Sequence, residues 1–248
     1  MSLVAVVSSV GLTACGSTDT LLVCTSIPFE PFQYKDSWQD NRIVGFDVDV
    51  MNLVAEKLGR TQQIVETGFG PITSGTALDN GDCDVAAAAL SITPERQEVM
   101  DFSDPYYDAQ QALAVSPGSS ILSLKDLKGK TLGIQIDTTG ADLADENQKK
   151  YGYDIKVYSD FGKLREAVEY EIIDAAIGDV PLWNQEEAAN EDYLRVADRF
   201  ETGEQYGYAV AKGNQDMLDT INEVLNDAKR DGTFGKIYQK WIGEKYPG

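Results

Sequence analysis

Histidine is absent from this 248-residue chain and cations are scarce, with 21 Lys and Arg against 41 Asp and Glu for a net charge of −20. Without histidine the commonest general base, the usual catalytic triads and most zinc sites are lost. The surplus of carboxylates repels phosphate backbones and anionic headgroups, so nucleic acid is not an expected partner. No apolar run is long: Leu3 to Leu12 falls well short of the ~20 residues that span a bilayer as a helix. Cysteine is limited to Cys15, Cys24 and Cys83. The last two sit in apolar, strand-like runs, and because disulfide geometry between adjacent strands is restrictive, they are expected as free buried thiols. No metal and no cofactor are expected. The length suffices to bury a sizeable core, as one large domain or two modest ones.

What is present alternates. Leu21 to Thr25 is an apolar run of strand length, Asp47 to Leu58 has helical spacing with Gly59 as its stop, Gln62 to Glu66 reads as a strand, Thr73 to Leu78 as a short helix, and Cys83 to Leu90 as a third strand. The same order restarts with strand Thr131 to Gln135, helix Ala141 to Lys150, strand Ile155 to Tyr158, helix Lys163 to Tyr170 and strand Asp174 to Ile177. Such repetition predicts an α/β fold with mostly parallel sheets covered by helices, in two lobes. Ala109 to Ser116 and Gln205 to Lys212 read as extended segments, and Asp216 to Trp241 as one long helical pattern.

The most informative stretch runs Leu90-Ser91-Ile92-Thr93-Pro94-Glu95-Arg96, followed by Met100-Asp101-Phe102-Ser103-Asp104-Pro105-Tyr106-Tyr107. Thr93 is a natural N-cap and Pro94 suits the first helical position, which puts Arg96 in the first turn. The helix dipole disfavours a cation there, so an external anion would explain it; a solvated surface charge fits the same residues equally well. Gly133 to Gly140, with Asp137-Thr138-Thr139, reads as a strand running into a helix N-terminus, again a place for an anion. Asp174-Ala175-Ala176-Ile177-Gly178-Asp179 closes another strand, with Asp179 also suited to cap the helix that follows. Ser26-Ile27-Pro28-Phe29-Glu30-Pro31-Phe32 and Val44-Gly45-Phe46-Asp47-Val48-Asp49 follow the first strand.

Taken together these blocks resemble the amino-acid-binding solute-binding proteins of ATP-binding-cassette importers, the group called family 3, from about residue 21 onward. The resemblance implies a type II periplasmic-binding-protein fold: two lobes, each a mostly parallel sheet flanked by helices, joined by two hinge strands. Lobe 1 would be 21–110 plus 209–248 and lobe 2 would be 111–208, with the ligand sealed between them. It further implies that Arg96 forks onto the α-carboxylate of a free amino acid with Ser91 as hydroxyl partner, that Thr139 completes the carboxylate cage, and that Asp179 takes the α-ammonium. Phe29 would lie over the ligand as a lid, Phe69 would be a second ligand-facing aromatic, Ala89 and Ser26 would line the pocket, and Phe32 and Phe46 would pack in the core. Asp137 stands where the family usually carries glycine; aspartate tolerates a positive φ better than most residues.

Ser26 also stands where members that bind basic ligands carry an acid, so a neutral polar amino acid is the expected ligand; the acidic amino acids are the least favoured. Leu12-Thr13-Ala14-Cys15-Gly16 resembles a bacterial lipobox, which implies cleavage before Cys15, lipidation of that residue, a tether up to residue 20, and a location on the outer face of the cell membrane. The basic start of such a leader is missing, so the chain is expected to begin inside the signal peptide. The expected partners are the amino acid, the importer's permease and, through the lipid, the membrane; the protein is expected to be a monomer and not an enzyme. The alternative is a cyclohexadienyl dehydratase on the same scaffold, with Glu30 or Asp137 as general acid.

Overall fold

Runs of buried Val, Ala and Leu become parallel strands, and the amphipathic segments between them become the helices that cover both faces. The computed structural model describes residues 19–189 and 192–247; Cys15 and its lipobox lie outside the described residues. In chain order, β1 (Thr20–Thr25) leads to a small hairpin of β2 (Tyr34–Asp36) and β3 (Arg42–Val44), then α1 (Phe46–Lys57), β4 (Thr61–Glu66), the short α2 (Phe69–Thr73) and α3 (Thr76–Asp79), and β5 (Val85–Ser91). The short α4 (Pro94–Val99) and β6 (Met100–Phe102) precede the long β7 (Tyr107–Val115). Then come β8 (Thr131–Gln135), α5 (Thr139–Tyr151), β9 (Asp154–Tyr158), α6 (Phe161–Glu169), β10 (Ala175–Asp179) and α7 (Val180–Ala189). The chain ends with β11 (Arg195–Ala211), α8 (Gln215–Asp231) and α9 (Thr233–Ile242).

Among the described residues nine strands form one sheet in the order β4-β1-β5-β11-β7-β10-β8-β9, with β6 on β11. β1, β4 and β5 are parallel, as are β8, β9 and β10. Between these two parallel sets run β7 and β11, antiparallel to each other and to the set each touches. This is the α/β architecture expected, with β11 reaching back to Arg195 rather than starting at Gln205. The apolar cluster on one face of β1 and β5 takes residues from both parts of the chain, Leu21 to Ala109 and Tyr206 to Tyr238, so α8 and α9 return to cover the first parallel set. Phe32 and Phe46 are fully buried in it, as expected.

Glycines explain two differences from the sequence pattern. The segment 216–241 is not one helix: Gly232 (φ 83°) is left-handed, terminating α8 and starting α9. Likewise Gly75, at φ 75°, separates α2 from α3, where the spacing predicts a single helix over 73–78. α8 itself is well specified, with Asn214 accepting from the Met217 N–H, Lys229 and Arg230 in the last turn, and Ile221, Val224, Leu225 and Ala228 buried on one face.

The expectation of free thiols is overturned, since Cys24 and Cys83 form a disulfide. Cys24 lies within β1, but Cys83 precedes β5, so it escapes the ladder geometry that restricts bridges between paired strand positions. Another buried polar feature is Asp47, 1% exposed in the first turn of α1, whose carboxylate accepts from the Ala89 N–H (2.8 Å) and the Tyr208 hydroxyl (3.2 Å). Ala89 needs that anchor because it holds a positive φ of 46° within β5. Burial pushes the Asp47 carboxyl up to about 7.

Reducing the disulfide, which closes a separation of 59 residues, lowers stability by about 4 kcal/mol on the chain-entropy account, read as a drop in denaturation midpoint that a Cys24→Ser variant reproduces. Asp47→Ala strands a buried N–H and destabilises by about 1–3 kcal/mol in chemical denaturation. Because the folded value of Asp47 is raised from 3.8 to about 7, its stabilising effect is full below the lower value and lost as pH rises through the upper one. Asp47→Asn therefore flattens the fall in stability between those values.

Candidate functional site

Arg96 is placed as the local sequence dictates. The Thr93 hydroxyl accepts from the Arg96 N–H (3.2 Å), Pro94 occupies the first helical position, and the guanidinium turns inward to 8% exposure. Nη1 donates to the Ser91 carbonyl (2.8 Å), at the end of β5. Nη2 donates to the Asp137 carbonyl (3.0 Å), in the turn between β8 and α5, so one side chain touches both parallel sets. Its Cζ lies over the Phe69 ring, 5.6 Å from the ring centre. Burial lowers the Arg96 pKa, while Asp179, Asp142, Glu204 and Asp137 counteract it. Asp137 takes a φ of 64°, the left-handed conformation expected from its replacing glycine. A Cβ at Gly70 would lie 2.8 Å from its Oδ2, which explains the glycine beside Phe69: the carboxylate of one set leans onto the helix of the other.

Strand register builds the second charged group. Asp179, the last residue of β10, pairs with Gln111 in β7, and β11 places Tyr206 opposite both Tyr107 and Ser91. The Asp179 carboxylate is 8% exposed; Oδ1 accepts from Gln111 Nε2 (2.7 Å) and Oδ2 accepts from the Tyr206 hydroxyl. Both donors are neutral groups, an amide and a phenol. Burial first, then the Glu204 charge, push its carboxyl up to about 6, against the pull of Tyr206, Gln111 and Arg96. Two residues before Tyr206, on the same face of β11, Glu204 accepts at Oε2 from the Ser91 hydroxyl (2.9 Å) and the Thr139 hydroxyl (2.6 Å). Gln111 Nε2 lies within 3.3 and 3.4 Å of its two oxygens and 3.2 Å from Thr139 Oγ1. Thr138 caps α5 by accepting from the Ala141 N–H (3.2 Å). Gly140 lets that N-terminus close in, since a Cβ there would lie 2.8 Å from Gln111 Oε1.

The aromatic candidates meet beside these charges. Phe29 packs against apolar clusters of both sets, edge-on to Tyr206 at 6.4 Å. With Ser26, Phe69, Gln135 and Asp160 it lines one narrow cavity. Ala89, strained and anchored on Asp47, sits two residues before Ser91. Arg96, Ser91, Thr139 and Asp179 are therefore joined by one network of contacts, and Ser26, Phe29 and Phe69 line its apolar side. Of the acids held for the alternative, Glu30 is raised by burial, with Glu186 and Asp36 adding to it. Among the described residues no group of three or more Cys, Asp or Glu is arranged to hold a metal ion.

Sequence reasoning misses Gln111, Glu204 and Tyr206. Gln111 is the second of the pair Gln110-Gln111 and directly precedes the apolar run Ala112–Val115, which is a usable signal. Glu204 is hidden in the polar stretch Glu201-Thr202-Gly203-Glu204-Gln205; its period-2 relation to the buried Tyr206 and Tyr208 is the only pointer.

The family model of the bacterial extracellular solute-binding proteins, family 3, matches residues 21–244. The arginine-binding extracellular protein ArtP of Bacillus subtilis (strain 168) is 32% identical over 253 residues, covering 98% of this chain and 97% of that protein. An ancestral arginine-binding protein solved with arginine superposes with a TM-score of 0.85 at 37% identity, covering 90% of this chain and 98% of that one; the ancestral structure with glutamine gives the same TM-score and identity, covering 91% and 99%. The ancestral amino acid-binding protein AncCDT-1, a precursor of cyclohexadienyl dehydratase, superposes with a TM-score of 0.82 at 32% identity, covering 90% and 95%. With its two parallel sets joined by β7 and β11, and with these matches over nearly its whole length, the chain belongs to the bacterial extracellular solute-binding proteins of family 3.

Proposed function

We propose that this protein captures a free α-amino acid between two closing lobes, 21–110 plus 209–248 and 111–208, and delivers it to the permease of an ATP-binding-cassette importer. The observation that carries the proposal is the pair of buried charges, Arg96 and Asp179, each satisfied by neutral partners and each facing the same network. Arg96 takes the α-carboxylate, helped by backbone donors at the start of α5, and Asp179 takes the α-ammonium. Ser91 and Thr139 complete the polar wall beside the backbone of Ala89, and Ser26, Phe29 and Phe69 receive the side chain. Closure is favoured because only the closed form brings both charges onto one zwitterion.

The side chain is polar and ends in a planar hydrogen-bonding group, a carboxamide or a guanidinium. Support comes from the facing aromatics with Gln135 and Asp160 along the same cavity, and from the solved relative with arginine or glutamine bound. Cys15, through its lipobox, anchors a monomer by lipid to the outer face of the cell membrane; among the described residues no helix is long and apolar enough to cross one. The likeness to a dehydratase precursor supports a second reading as an enzyme. Turnover of prephenate or arogenate would establish it, whereas stabilisation by an unaltered amino acid supports the binder.

A thermal-shift screen of free amino acids gives a ligand-dependent rise in Tm that disappears in Arg96→Ala; an unchanged rise in that variant contradicts the carboxylate assignment. Binding also depends on pH. Asp179, at about 6, must be ionised to hold an ammonium. Affinity is therefore level above that value and falls by up to about tenfold per pH unit below it, with proton release on binding in calorimetry across buffers of different ionisation heat.

A further inference from the structure

Glu204 has no part in the zwitterion contacts just described, yet its Oε2 accepts from hydroxyls on opposite sides of the network: Ser91 at the end of β5 (2.9 Å) and Thr139 at the start of α5 (2.6 Å). A hydroxyl has one hydrogen to donate and two lone pairs with which to accept. With both hydrogens committed to Glu204, neither hydroxyl can donate to a carboxylate, which is the role the sequence resemblance gives them. What they retain is acceptor capacity. The immediate surroundings agree: the two hydrogens of Gln111 Nε2 are shared among acceptors of three residues, Asp179 Oδ1 (2.7 Å), Thr139 Oγ1 (3.2 Å) and both Glu204 oxygens (3.3 and 3.4 Å). A nitrogen donor is the group this corner accommodates.

We propose that Glu204 is a positioning residue: by fixing the hydrogens of Ser91 and Thr139 it turns both hydroxyls into acceptors, so that with Asp179 they form a cradle selective for an ammonium group. The proposal rests on the amino-acid reading of the site and refines it. The α-carboxylate is left to Arg96 and to backbone donors, and the hydroxyls move to the other end of the zwitterion. One oxygen takes both hydrogen bonds, so an amide oxygen in its place can do the same, whereas a methyl group cannot.

Calorimetric titration with L-arginine, L-glutamine and their deamino analogues, which keep the carboxylate and side chain but carry hydrogen in place of the ammonium, isolates this role. In the wild type the amino acids bind more tightly than the analogues. In Glu204→Ala that preference shrinks by about tenfold while affinity for the analogues stays within about twofold, the loss of one charge-assisted contact. Glu204→Gln keeps most of the preference. Equal weakening of amino acid and analogue in Glu204→Ala, an unchanged preference, or a Glu204→Gln variant as impaired as the alanine variant would each overturn the positioning role. Arg96→Ala separates this from the site itself. If that variant binds L-arginine and L-glutamine as the wild type does, or the wild type binds neither, the underlying site reading fails; if Arg96 proves essential and the Glu204 preference does not move, only the present proposal falls.

Discussion

Two charges buried where the two parallel strand sets of one sheet meet are the constraint on which the rest of this molecule depends. Arg96 and Asp179 are each 8% exposed, and an ion so far from water is tolerated only if its hydrogen-bonding capacity is met. Arg96 commits two of its five N–H donors to carbonyls, one from each parallel set. Asp179 accepts from an amide and a phenol on β7 and β11. Neither charge is neutralised by a close partner of opposite sign in these bonds. In the proposed function a zwitterion would supply the counter-charges at both ends at once.

The fold's details serve that arrangement. β7 and β11 pair with each other and each with one parallel set, β7 with β10 and β11 with β5, and they carry Gln111, Glu204 and Tyr206. Close approach depends on small residues, with Gly140 making room for Gln111 and Gly70 for Asp137. The strained Ala89 is held by Asp47 in α1, so the floor of the site is tied to the interior of the first parallel set. The disulfide between Cys24 and Cys83 secures the same set on its other face.

Much of this is legible in the amino-acid sequence itself. The alternation of strand and helix, the Thr93-Pro94 cap that turns Arg96 inward, and Asp179 at a strand end are all local signals, fixed by spacing and capping chemistry. Less legible are features that depend on register. Glu204 and Tyr206 become neighbours of Asp179 only because β11 pairs with β5 and β7 in one alignment, and no local pattern states that alignment. Glycine breaks are visible as residues but not as breaks: Gly75 and Gly232 take left-handed conformations where helical spacing continues through them. The cysteine pairing escapes a reading by local pattern because Cys83 reads as the start of the third strand, although Asp84 separates it from the apolar run and it lies just ahead of β5.

In the proposed function both ends of a zwitterion are gripped at once. Calorimetric titration of the protein with an amino acid that it binds, compared with the methyl ester and the N-acetyl derivative of that same amino acid, tests this most directly. Blocking either end should weaken binding by about two orders of magnitude or more, because a buried charge of the protein is left without its partner. Undiminished binding of either derivative would contradict the two-ended clamp.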